Sequence, residues 1–253
     1  MNLRFITFVL LFVLAFGTKA EKIVPSPKSG IVVDGKANEW SNPLPYKDKK
    51  TGIQFEFAND LKTIYFVIRV DNIEDQKRIM ENGMQIWVNK SGKRDTITGI
   101  LYPTPMDTST MENGVKKVQG DVYIIDQLVL KGFYLENGKQ PIRNCPVRVA
   151  IAKGDNNSLI YEIGIPFNTF WKEELEKTDV KKNFQVGFVI KAPMSPMERD
   201  LRGRMGNMNM GMMMGGMGGG MNMRNFSQGM RSFLPAEYQD KEYWFKTKLS
   251  YAL

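Results

Sequence analysis

The chain contains no histidine and a single cysteine, Cys145, in 253 residues. Without an imidazole there is no Ser-His or Cys-His nucleophile, no usual zinc site and no histidine-ligated haem. One cysteine cannot close an internal disulfide, so stability must come from a packed core, and Cys145 itself reads as a small buried hydrophobe. Carboxylate-only catalysis survives these absences. A glycosidase, however, needs two acids facing each other across a cleft, and nothing in the sequence singles out such a pair among Glu56, Asp71, Asp121, Asp126 and Glu162. The expectation is a protein without catalytic activity.

What is present begins with a leader. Met1 to Ala20 carries Arg4, the apolar run Phe5 to Phe16, and then Gly17, Thr18, Lys19 and Ala20. This is the pattern of a secretory signal peptide cleaved after Ala20, with a run of about 12 residues against the roughly 20 of a spanning helix. The expected address is the periplasm or the extracellular space, with no membrane span in the mature form. Removing Arg4 and Lys19 leaves 33 basic residues against 27 acidic ones, a net charge of +6. A positive field favours anionic partners such as acidic polysaccharide or lipopolysaccharide, while the exported address argues against nucleic acid. Residues 21–253 read as one domain, because a β-sandwich of this length can bury a single large core.

Period-two alternation recurs along that domain. Ile53, Phe55 and Phe57 alternate with Gln54 and Glu56, and after the turn residues Asn59 and Asp60 comes the β-forming run Ile64 to Val70. Further strands are expected at Met84 to Asn89, Thr96 to Leu101, Val122 to Leu130, Val147 to Ala152, Leu159 to Ile165, Gln185 to Lys191 and Tyr243 to Leu249. Asn82-Gly83, Ser91-Gly92, Asn113-Gly114 and Asn137-Gly138 supply residues that tolerate positive φ at the reversals. Two short helices are expected, Glu74 to Glu81 and Thr169 to Glu176, the second capped by Asn168. Many short strands and few helices predict an all-β fold, a two-sheet antiparallel, jelly-roll-like β-sandwich.

The motifs fall in an order that resembles the family 9 carbohydrate-binding modules and the related DOMON-like sandwiches. IVVDGKANEW (Ile31 to Trp40) stands where the family has a first strand, an Asp-Gly turn and a tryptophan; IYFVIRVDN, GMQIWVNK, YEIGIPFNTF, FQVGFVIK and YWFKTKLS follow. The resemblance implies an exported β-sandwich that binds carbohydrate without catalysis and supports carbohydrate catabolism. It also implies that Asp34, Gly35 and Trp40 are structural, the indole plugging one end of the sandwich.

Alternation suggests where a sugar would sit. Tyr65, Arg69 and Asp71 share one face of their strand with Val67, opposite Phe66, Ile68 and Val70; Gln85, Trp87 and Asn89 lie opposite Met84, Ile86 and Val88. If the two strands are neighbours, Tyr65, Arg69, Gln85, Trp87 and Asn89 form an aromatic platform edged with hydrogen-bonding groups, suited to a sugar ring. Family members often carry acids where Gln85 and Asn89 stand, so the amides weaken the case for calcium, although Asp34, Asp60 and Asp71 leave that cation open. Trp171 and Trp244 are both candidates for the second tryptophan of such a sandwich, each reading more as core than as ligand contact.

Met205 to Phe226 consists almost entirely of methionine and glycine and is bracketed by Arg199, Arg202, Arg204, Arg224 and Arg231. Its composition predicts a flexible insertion over about 194–230, without a fixed fold of its own. Thioethers are soft donors, so Met208, Met210 and Met212, with Met221 and Met223, are candidates for Cu(I). Haem held by methionine and lysine, as in some DOMON-like relatives, is not expected on so soft a loop. Two functional readings result: a glycan-binding module, or an envelope or matrix protein whose Met/Gly/Arg loop binds Cu(I) or a protein partner while the sandwich serves as scaffold.

Overall fold

The computed structural model describes residues 22–28, 30–104, 126–135, 137–197, 200 and 234–251, together with the backbone of 117–119 and 122–124. Among the described residues, thirteen strands and one α-helix are arranged as two antiparallel sheets packed face to face. Sheet I runs in the order β1 (Tyr46–Lys47), β2 (Gln54–Asn59), β3 (Thr63–Val70), β11 (Leu159–Pro166), β10 (Arg148–Lys153), β7 (Val122–Ile124) and β6 (Lys117–Gln119). Sheet II runs β13 (Lys241–Thr247), β12 (Phe184–Ile190), β4 (Met84–Asn89), β5 (Gly99–Tyr102), β8 (Gln127–Lys131) and β9 (Gly138–Pro141).

The inner faces are the apolar sets that alternation marks. Phe55, Phe57, Phe66 and Ile68 from sheet I meet Ile86, Val186, Phe188 and Phe245 from sheet II, all of them buried. Phe188 stands edge-on to both Phe55 and Phe66, with ring centroids 5.3 and 5.7 Å away, so one ring from sheet II locks two strands of sheet I. Each such side chain contributes about 1.5–3 kcal/mol of burial free energy, the currency available to a domain without disulfides.

The helix α1 (Ile73–Asn82) carries the chain from β3 in sheet I to β4 in sheet II. Asn72 caps it by accepting the backbone N–H of Asp75 at 2.9 Å, and Glu74 and Asp75 place negative charge in its first turn. Gly83 ends it at φ +82°, in the left-handed region expected of an Asn-Gly pair.

The expected second helix, Thr169 to Glu176, is absent. A 3₁₀ turn, Phe167–Thr169, is followed by irregular backbone, because adjacent residues are drawn to different partners. Phe170 packs against Phe133 and Phe167, Trp171 stacks on Phe184, and the Leu175 N–H donates to the carbonyl of Leu61. A helix would give the Leu175 N–H to the Trp171 carbonyl, but that carbonyl accepts from the Tyr134 hydroxyl and the Thr169 carbonyl from the Tyr134 N–H. Thr169 turns its hydroxyl back to the Pro166 carbonyl, and the Asn168 amide reaches Glu173 instead of capping. The expected strand Val122 to Leu130 is also divided: its first part joins sheet I and its second joins sheet II. Cys145 is half-buried and free, and burial pushes its thiol pKa up.

Candidate functional site

The outer face of sheet I is closed. Register places Glu56, Val67 and Glu162 side by side on β2, β3 and β11. Both carboxylates point away from the core yet are 0 % and 1 % exposed, because the segment from Ile31 to Leu44 lies over them. Ile31 to Val33 forms no strand here; the segment is an irregular strap. Glu162 Oε2 accepts the N–H groups of Asp34 (3.0 Å) and Gly35 (2.7 Å), and its Oε1 accepts the indole N–H of Trp40 (2.7 Å). Glu56 accepts the backbone N–H of Ser41 at 2.7 Å and faces Lys28 Nζ at 3.4 Å. Burial pushes the Glu162 carboxyl above its usual range, against the hydrogen bonds that pull it down.

Asp34, Gly35 and Trp40 therefore hold the scaffold together. The Trp40 indole is 6 % exposed and packs with Ala58, Val67 and Ile160 on the outer face of sheet I, not at one end of the sandwich. Gly35, at φ +84°, passes so close to β10 that an added Cβ would lie 2.9 Å from the Ala152 Cβ. The buried pair Glu56 and Glu162 resembles a catalytic pair in position only, since both acids are occupied by donors of the strap.

The outer face of sheet II is built differently. A single cross-strand row reads Trp244, Gly187, Trp87, Gly99 and Lys131 from β13 to β8. Each indole lies over the glycine of the next strand: a Cβ on Gly99 would meet Trp87 Cε3 at 2.2 Å, and one on Gly187 would meet Trp244 Cε3 at 2.5 Å. The glycines let the two rings lie flat along the sheet. A cation stands over each ring, Lys131 Nζ 5.2 Å from the Trp87 centroid and the Arg94 guanidinium 5.1 Å from that of Trp244. Glu242 accepts from both Arg94 and the Trp244 indole N–H. Trp87 is 6 % exposed, and its indole N–H is buried without a hydrogen-bond partner. Trp244 is half-exposed.

The five residues expected to form one patch are divided between the two sheets. Tyr65 and Arg69 lie on the outer face of sheet I, where Tyr65 bonds Asp60 and Arg69 pairs with Asp71 at 2.8 Å. Gln85, Trp87 and Asn89 lie on the outer face of sheet II. The α1 crossover is the reason: strands adjacent in sequence are not neighbours in space. Asn89 fastens the β4–β5 loop through Asp95, the Lys93 carbonyl and the Ser91 N–H. Gln85 is half-buried on the same face, opposite Leu101.

Sequence reasoning leaves Trp244 as a candidate that reads more as core than as ligand contact, and it misses Lys131, Arg94 and the two glycines. Alternation along KEYWFKT puts Glu242, Trp244 and Lys246 outward, but a glycine beneath an indole becomes visible only with the register. Asp34, Asp60 and Asp71 serve separate turns and ion pairs, and the described residues contain no group of three or more His, Cys, Asp or Glu able to hold a metal. Met208, Met210 and Met212, with the rest of the Met/Gly segment and the leader, lie outside the described residues. No described helix is long and apolar enough to cross a membrane. No protein-family model, curated protein or solved structure matches the chain.

Proposed function

We propose that the protein binds a glycan on the outer face of sheet II and does no chemistry on it. The observation that carries this reading is the row Trp244, Gly187, Trp87, Gly99, Lys131. Two indoles on alternate strands, about 10 Å apart at the usual strand spacing, form a flat platform on the scale of two consecutive sugar units. The C–H face of a pyranose packs on an indole, while its hydroxyls meet Gln85, Arg94 and Lys131 around the rings. Trp244 is the first ring a ligand meets, and Trp87 joins when the flexible Lys131 side chain leaves its face. The motif order shared with family 9 carbohydrate-binding modules and DOMON-like sandwiches supports the same reading, as does an exported address.

Affinity electrophoresis of the mature protein in gels containing neutral or acidic polysaccharide tests it, with Trp244→Ala and Trp87→Ala run alongside. Retardation that is lost in Trp244→Ala and weakened in Trp87→Ala supports a platform on sheet II. Retardation unchanged in both variants, or none with any glycan, overturns it.

A further inference from the structure

We infer that the glycan taken by this face carries acid groups, a uronate or a sulfated sugar; the inference rests on the reading of sheet II as a glycan site. Lys131 is exposed, stands 5.2 Å over the Trp87 ring and donates to the Thr96 carbonyl at 2.7 Å, with no carboxylate partner among the described residues. It is one of a set. Register puts Lys246 on the same face, opposite Gln185, and Lys139 opposite Val129, and neither has a carboxylate partner among the described residues.

Among the described residues, the carboxylates named on this face are already committed. Glu242 is shared by Arg94 and the Trp244 indole, and Asp95 holds Asn89 and the Ile97 N–H. Among the described residues, three ammonium groups thus surround an aromatic row with no acid left to neutralise them. A neutral sugar reaching Trp87 would have to displace a cation from an indole and offer only uncharged hydroxyl acceptors in return. An acid group on the sugar gives Lys131 a charge-assisted partner as the pyranose takes its place on the ring, so the same step uncovers the platform and fixes the ligand. The buried indole N–H of Trp87, which has no partner, adds a donor at the same place.

The test is binding of the mature protein to polygalacturonate and to the same polymer with its carboxyl groups reduced. Wild type is measured beside Lys131→Gln and, as a charge control on sheet I, Lys153→Gln. The expected result is roughly tenfold tighter binding of the acidic polymer. That preference should fall as salt is raised, be lost in Lys131→Gln and be kept in Lys153→Gln. Equal binding of both polymers, abolished by Trp244→Ala, overturns the acidic preference and leaves the glycan reading standing. A preference that Lys153→Gln removes as fully as Lys131→Gln marks unspecific charge attraction and also overturns it. Binding of neither polymer, nor of any other glycan, sinks the glycan reading itself. Unchanged circular dichroism of Lys131→Gln, expected for an exposed lysine, separates loss of binding from loss of fold.

Discussion

The indole N–H of Trp40 donates at 2.7 Å to the carboxylate of Glu162, a residue 122 positions further along the chain. This bond closes the strap over sheet I, and the other oxygen of the same carboxylate takes two backbone N–H groups of the Asp34-Gly35 turn. One buried acid thus satisfies three donors that would otherwise be stranded.

Glu162→Ala should leave those three donors without an acceptor. We expect a loss on the order of 3–5 kcal/mol in urea unfolding, against about 1–3 kcal/mol for Trp40→Phe, which keeps the ring and removes one donor. Equal losses in the two variants would show that the carboxylate does not organise the turn.

The same acid has a pH signature. Because burial raises its folded-state pKa, the folded protein holds that proton more tightly than the unfolded chain. Its contribution to stability is therefore greatest below the ordinary carboxylate range and declines as pH rises through that range to the raised value. The deficit of Glu162→Gln relative to wild type should be largest in acid and shrink on the way to neutrality, as read from unfolding midpoints across pH.

Asp179 should behave in the opposite sense. Desolvation pushes its carboxyl up, but hydrogen bonds from Lys172, the Glu176 N–H and Lys182 outweigh that and hold it down at about 2. Its contribution is present above the unfolded value of about 4 and is lost as pH falls toward 2. Asp179→Asn should cost about 1–2 kcal/mol at neutral pH and almost nothing at the acid end.

Gly99→Ala and Gly187→Ala test the platform without touching an indole. Each new methyl falls well inside contact distance of a tryptophan ring, so the ring must tilt off the sheet. We expect a loss of about 1–3 kcal/mol, a shift in tryptophan emission and weaker glycan retention. Full retention with a displaced emission maximum would show that ring orientation is irrelevant to binding.

Asp75 and Lys241 pair at 2.7 Å with the acid 1 % exposed, tying α1 to the start of β13. Lys241→Met leaves a buried charge and should cost about 3–5 kcal/mol, while the double variant with Asp75→Asn should recover much of it. A double variant as unstable as the single one would mean the cost lies in packing.

Local alternation sufficed for the central strands and for which side of each one is core, because Phe55, Phe66, Ile86 and Phe188 leave no other assignment, but not for the short β1, β6 and β9 or for the break between β7 and β8. It did not suffice for the neighbours of a strand. Tyr65 and Trp87 are close in sequence and belong to different sheets, and only long-range register brings Trp244 beside Gly187 and Trp87 beside Gly99. Trp40 lies buried on the outer face of sheet I and not at an end of the sandwich. Its acceptor, Glu162, sits on a strand whose position no local pattern reveals. The helix expected at Thr169 to Glu176 failed for a related reason, since its backbone groups bond the distant residues Leu61 and Tyr134.

The strap over sheet I makes the molecule one-sided. With Ile31 to Leu44 fastened across one broad face, the tryptophan row lies on the opposite one. Tethering through an exposed strap residue such as Lys36 would therefore orient a whole population of molecules alike, every tryptophan row turned outward. A surface coated in this way should capture more polymer per molecule than one coated through random lysines, some of which belong to the row itself.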